Sequence, residues 1–178
     1  IRINAFRYDN FDYGKFDLGN MSQMVWNTLD GRFMYLTDYF GTNLPRWAMS
    51  HVDPILLLFV PLFAAIPHPM TLVYAQVLLV LVSAFLVYAI AKLELGSKLA
   101  AAAFGASFLA YPAVGFVTAW TGYHGVSVVI PFFLGAFYVF EKMHKAGNFT
   151  KKGLVTFWIL LTLTMMGKEQ LPLYICFY

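Results

Sequence analysis

Two long runs of this chain, residues 54–91 and 99–140, contain no Asp, Glu, Lys or Arg. A helix rises about 1.5 Å per residue, so about 20 apolar residues cross a bilayer core. On that measure 71–91 forms a full span. Residues 99–116 form a second, in which Ala101 and Gly105, and Ala103 and Ser107, set small residues four apart for close helix packing in lipid. Residues 125–140 form a third. A fourth, 154–178, carries Lys168 and Glu169 inside its apolar run. The expected fold is all-α, a polytopic transmembrane helix bundle.

Residues 1–66 have a different texture. "FDLGNMSQMVWNTLDGRF", residues 16–33, reads as an amphipathic helix with Asp17 as N-cap and Gly31 as C-cap. Leu18, Met21, Met24, Val25 and Trp26 line its apolar side. Gly41, Asn43 and Pro45 break the chain into a loop over 35–50. Residues 54–66 are apolar, but they reach only about 20 Å and carry Pro61. This segment is expected to be re-entrant or interfacial. The domain organisation is therefore a loop region, 1–66, followed by four transmembrane helices over 67–178.

Composition agrees. Of 178 residues, 60% are hydrophobic and 12% charged, against about 25% charged in a soluble domain. The net charge of +3 is not gathered into a basic stripe, which excludes a nucleic-acid surface. The single cysteine, Cys176, excludes an internal disulfide and reads as a packing residue. With a start at Ile1 and an end inside an apolar run, the chain is expected to be a piece of a longer protein.

Charge also orients the spans. The Lys-rich loops 92–98 and 141–153 are separated by two spans and must share a side. Their lysines mark it as cytoplasmic. With 54–66 not crossing, residues 1–66 and the 117–124 turn lie on the outer face. Lys168 and Glu169 lie 14 to 15 residues into the fourth span, about 21–22 Å up the core.

Topology thus brings Asp17, His51, Asp53, His124, Lys168 and Glu169 to one face. Ionisable groups inside a span are costly unless paired or hydrated, so Lys168 and Glu169 either mark a site or sit where the span ends early and snorkel to the interface. Lys168 and His51 suit an anion such as a phosphate. Asp53, His124 and Glu169 have the donor types for a divalent metal ion, the expected cofactor. Structural roles compete: His51 and Asp53 as helix caps, and His124 at an aromatic interface. Asp9, Asp12 and Asp17 alternate with Tyr8, Phe11, Tyr13 and Phe16, which suits a sugar surface or a membrane-interface belt. Asn20 and Asn148 open glycosylation sequons, the second on the cytoplasmic side of this topology.

Together "FDLGNMSQMVWNTLDGRF", "SHVDPILLLFVPLF", "PHPMTLVYAQVLLVL", "YHG" and a late "KEQ" resemble an uncharacterised prokaryotic family of polytopic membrane proteins, the domain of unknown function two-zero-seven-nine. That family is distantly similar to GT-C glycosyltransferases, which take sugars from polyprenyl phosphates at the outer membrane face. The resemblance implies that Asp17 matches the acidic residue of their first outer loop. The stretch from His51 to Pro54 matches its proline-containing motif. GT-C loops often carry an adjacent acidic pair, whereas Asp17 is followed by Leu18, and the first and later GT-C spans lie outside this sequence.

The implied activity is transfer of a sugar from a polyprenyl-phosphate donor, with Asp17 as catalytic base. Membrane lipid and partner membrane subunits are the implied neighbours. Two other readings stand beside it. In a non-enzymatic subunit of a membrane complex, His124 would ligate a haem or pigment. In a transporter, Lys168 and Glu169 would line an ion path.

Overall fold

The computed structural model describes residues 1–13, 15–49 and 51–177, with backbone alone for Lys15 and Phe16. It is helical apart from one small hairpin. Helix α1 (Arg2–Asp9) leads to a π-helical turn, Lys15–Gly19, and helix α2 (Asn20–Leu29). Strands β1 (Tyr35–Thr37) and β2 (Asn43–Pro45) pair antiparallel, Tyr35 opposite Pro45. Helix α3 (Arg46–Met49) follows, then a 3-10 segment, Pro54–Phe59, which runs into α4 (Val60–Ala65).

The expected helix over 16–33 is thus divided and shortened. Gly19, not Asp17, occupies the N-cap of α2, and Asp17 sits within the π turn. Gly31 does adopt the left-handed conformation that a helix end asks for, at φ +81°. Met21, Met24 and Val25 are buried as the periodicity predicts. Trp26 is not. It points outward and meets the Phe63 ring edge-on at 6.5 Å.

Helix α5 (Met70–Leu95) is 26 residues long and apolar enough to cross a membrane. Gly96 ends it at φ +67°. Ser97 caps α6 (Lys98–Ala110) by accepting the Ala100 N–H. The expected straight span over 99–116 is bent. Pro112 cannot donate to the ladder, so α6 stops and α7 (Pro112–Ala119) sets off at 51°.

Helices α8 (Gly125–Val128) and α9 (Ile130–Lys145) make one 21-residue apolar unit across a local break at Val129. Helix α10 (Lys151–Met165) is capped by Thr150, whose hydroxyl accepts the Gly153 N–H. The continuous helix expected over 154–178 is broken. Gly167 and Pro172 disfavour a through-going ladder, and the chain resumes as α11 (Leu171–Cys176). Among the described residues, two helices are long and apolar enough to cross, three if the bent α6–α7 pair is one span.

Helix α5 packs against α6 and α9, and α9 against α10. At Gly105 an added methyl would lie 3.2 Å from the Ala84 carbonyl oxygen, so the absence of a side chain permits the α5–α6 approach. Lys145 Nζ lies 2.9 Å from Glu94 Oε2 and donates to the Leu93 carbonyl at 3.1 Å. The two Lys-rich loops therefore occupy the same end of the helices.

The best-packed region is at the opposite end. Leu18, Met24, Val25 and Leu36 pack with Ile55, Leu56, Phe59 and Phe63 onto Leu72 and Val73 of α5 and onto Tyr123, Val128 and Val129. Full burial of an aliphatic side chain contributes about 1.5–3 kcal/mol. This shared core fixes residues 1–66 as a lobe on the start of α5. Away from it the helices expose large apolar side chains, among them Phe85, Phe104 and Trp158. That is the surface a hydrocarbon solvent requires.

Candidate functional site

The turn between α7 and α8, residues 120–124, is the hub of the lobe end. Three polar residues from earlier in the chain hold it. Asn4 Nδ2 donates to the Thr118 carbonyl at 2.9 Å. Arg7 donates to the carbonyls of Ala119, at 2.8 Å, and Trp120, at 2.6 Å. Its guanidinium also lies over the rings of Tyr13 and Trp120, 4.8 and 4.5 Å from their centroids. These are the carbonyls that a helix end leaves unpaired, and Arg7 places its cation at the negative end of the α7 dipole.

Gln76, fully buried in α5, completes the clamp. Its amide nitrogen donates to the carbonyls of Val117 and Gly122, each at 3.1 Å, and its oxygen accepts the His124 N–H at 2.7 Å. A buried amide in an apolar helix is tolerated only when its groups are satisfied.

Two glycines let other segments reach this turn. A methyl at Gly122 would sit 3.2 Å from Asp17 Cβ, so the π turn of the lobe lies directly against it. One at Gly125 would sit 3.5 Å from Asp53 Cβ and collide with the Gly167 carbonyl oxygen. The break between α10 and α11 therefore meets the lobe and the hub together. Ile55 N–H donates to the Met166 carbonyl at 2.9 Å, joining the 3-10 segment to the same break.

Asp17 is exposed, and its carboxylate has no hydrogen-bond or ionic partner among the described residues. Beside its turn lies a cavity of about 570 Å³ lined by Tyr8, Asp9, Phe11, Tyr13, Leu18, Gly19 and Pro69. Phe11 holds φ +59° and exposes 93% of its surface there. Positive φ is uncommon for a bulky residue.

His51 and Glu169 are in direct contact. Nδ1 of the imidazole is 2.8 Å from Oε1, and the Val52 N–H donates to Oε2 at 3.1 Å. Partial desolvation pushes the Glu169 carboxyl up. Hydrogen bonds from its own backbone, from His51 and from Val52, with the charge of His51, outweigh that and bring it down to about 2. An ionised carboxylate only accepts, so His51 carries its proton on Nδ1 and keeps Nε2 free among the described residues. Lys168, half-buried next door, has no partner for its ammonium among the described residues.

Asp53 is committed elsewhere. Its oxygens accept from Arg46 Nε at 3.3 Å and a second guanidinium nitrogen at 3.4 Å. The carboxylate side chain is 7% exposed and the guanidinium 12%. Asp53, His51 and Arg46 line a cavity of about 140 Å³ with Trp47 and Pro54. Behind Asp53, the Tyr123 hydroxyl is buried with no hydrogen-bond partner among the described residues. Burial, and then the Asp53 charge, push its phenol well up.

The metal set of Asp53, His124 and Glu169 is not assembled. Among the described residues no three His, Cys, Asp or Glu side chains gather to hold an ion. The physical reason is that the Asp53 carboxylate turns to Arg46 and the Glu169 carboxylate to His51. Sequence reasoning missed Arg46, Arg7 and Gln76. Gln76 did leave a trace, as the one amide side chain of the charge-free run 54–91.

A family model described as predicted membrane protein (DUF2079) matches residues 7–176, and the chain belongs to this family. No curated protein and no solved structure matches the chain.

Proposed function

We propose that this DUF2079 membrane protein forms the outer-face loop region and first spans of a GT-C-like transferase, moving a sugar from a polyprenyl-phosphate donor to an acceptor hydroxyl. The observation that carries the proposal is Asp17. It is an exposed, unpartnered carboxylate, held in a π-helical turn against the hub of the lobe end. Structural carboxylates in this chain, Asp53 and Glu169, are anchored by cations or N–H groups. Asp17 is anchored by none among the described residues, as a base awaiting a substrate proton requires.

The chemistry balances with groups at this end. Asp17 takes the proton of the acceptor hydroxyl. The acceptor oxygen bonds to the sugar's anomeric carbon, and the bond from that carbon to the phosphate oxygen breaks. The electron pair leaves on the lipid phosphate, whose added charge is offset by Lys168. The cavity of Tyr8, Phe11, Tyr13 and Asp9 beside Asp17 supplies ring faces and a carboxylate for a polyhydroxyl acceptor. The same scheme places the Lys-rich loops, joined by Lys145 and Glu94, on the cytoplasmic side.

The test is Asp17→Asn in the full-length protein, assayed for transfer from a polyprenyl-phosphate sugar. Loss of a general base costs about 10²–10⁴-fold in rate. Turnover at the wild-type level would remove Asp17 from the mechanism.

A further inference from the structure

At the Lys-rich end, charge is left uncompensated in one place. Lys145 is committed to Glu94 and to the Leu93 carbonyl. The ammonium groups of Lys142, Lys151 and Lys152 have no partner among the described residues. Residues 141–153 hold a single carboxylate, Glu141, and it does not line the cleft that Lys142 and Lys152 share. Lys151 and Lys152 also open α10, where a helix start favours acidic residues.

That cleft, of about 380 Å³, lies between the last turns of α9 and the first turns of α10. Asn148 and Thr150 line it from the connecting turn, and Tyr138 and Thr156 lie about one turn deeper. The Thr150 hydroxyl is occupied by the Gly153 N–H, and the Thr156 hydroxyl donates to the Lys152 carbonyl. The Asn148 amide and the two ammonium groups remain uncommitted among the described residues. The walls are fixed. Gly147 takes φ +61°, and the Asn148 N–H donates to the Met143 carbonyl at 3.2 Å. A methyl at Gly153 would collide with Met143, so the first turn of α10 is seated on α9. Phe149 turns away to the Phe140 ring, 6.1 Å between centroids.

The surroundings identify the anion. Val155, Trp158 and Ile159 turn apolar surface outward within about 10 Å of helix from Lys152. Hydrocarbon covers such surface, so the cleft opens at the depth of lipid headgroups. Basic pockets between membrane helices at that depth suit anionic heads. A choline head would add a further cation beside two lysines and is disfavoured.

We infer that the α9–α10 cleft binds the headgroup of an anionic two-chain phospholipid of the surrounding bilayer. Its phosphodiester lies between Lys142 and Lys152, and the Asn148 amide donates to it. The site is at the opposite end of the helices from Asp17 and is independent of the transferase reading. The lipid here is neither donor nor acceptor; it neutralises the start of α10 and braces it on α9.

The test is native mass spectrometry of the delipidated full-length protein, offered equal amounts of dioleoyl-phosphatidylglycerol and dioleoyl-phosphatidylcholine. Phosphatidylglycerol should be retained in preference. Each lysine beside an anionic head is worth about fivefold in affinity, so Lys142→Gln with Lys152→Gln should weaken its retention about 25-fold. Lys92→Gln with Lys98→Gln removes equal charge at the same end but outside the cleft, and should keep the wild-type preference. All four lysines are exposed, so both variants should melt like wild type without lipid. Equal retention of the two lipids by wild type would overturn the assignment without any variant. Equal weakening in the two double variants would overturn it in favour of a diffuse surface field. Displacement of phosphatidylglycerol by millimolar inorganic phosphate would give the cleft to a free anion and overturn the lipid.

Discussion

His51 and Glu169, 118 positions apart, meet at 2.8 Å between Nδ1 and Oε1. The contact is the side-chain tie between the lobe and the break after α10, and it is sensitive to acid. The Glu169 carboxyl is lowered from 4.5 to about 2 in the folded chain. A lowered acid stabilises the fold fully above its unfolded value, and that contribution is lost as pH falls through the folded value. Wild-type protein should therefore lose stability between pH of about 4.5 and about 2, a loss absent from Glu169→Gln. Both side chains are a third or more exposed, so the effect is small, about 1 kcal/mol or less. Thermal melting in detergent across that window reads it. Parallel profiles for the two proteins would show that the pair contributes nothing.

Arg46 and Asp53 are the opposite case, a nearly buried pair with long contacts of 3.3 and 3.4 Å. Removing one partner strands a charge, at a cost of about 3–5 kcal/mol. Asp53→Asn should lower the unfolding midpoint sharply. Arg46→Met with Asp53→Leu should recover most of the loss, because paired apolar replacement avoids desolvating either ion. Denaturant titration of the single and double variants distinguishes this from a metal-holding Asp53, for which the double variant would remain as damaged as the single.

These two pairs show what the sequence could and could not reveal. The spans were legible because lipid forbids charge over about 20 residues, and α5 (Met70–Leu95) extends the expected 71–91 chiefly at its C-terminal end. Pro112 was in plain view in the second span, yet whether a proline kinks or ends a helix depends on what receives the freed groups. Asp17 and Gly19 compete for the same cap, and a π turn leaves no periodic trace. His51 and Glu169 could be sent to one face by topology alone. That they bond to each other, and that Asp53 turns to Arg46 instead of an ion, follows from lobe packing, which no local pattern encodes.

Gln76 satisfies three backbone groups of the hub. Gln76→Leu keeps the approximate size but leaves the Gly122 carbonyl and the His124 N–H unpaired among the described residues, and leaves the Val117 carbonyl to the Thr121 hydroxyl alone. Each buried orphan costs about 1–3 kcal/mol. The variant should be less stable than wild type by several kcal/mol, although a hydropathy scale scores the change as favourable for a span. Trp120 lies on the same turn, and its fluorescence should report the loosening. An unchanged melt would mean that water replaces the amide.

Tyr123 reverses the usual expectation for a deletion. Its ring meets Phe59 edge-on at 5.5 Å and is fully buried, while its hydroxyl has no partner among the described residues. The ring contributes through packing, and the hydroxyl carries an uncompensated desolvation cost. Tyr123→Phe should therefore leave stability unchanged or raise it by about 1 kcal/mol, whereas Tyr123→Ala should cost about 3–5 kcal/mol by opening a cavity. The comparison separates packing from polarity at the point where Asp53, the hub and the lobe core meet. A Tyr123→Phe variant destabilised by more than about 1 kcal/mol would mean that the hydroxyl has a partner, with ordered water the first place to look. The buried polar network would then extend from Arg46 through Asp53 to the hub.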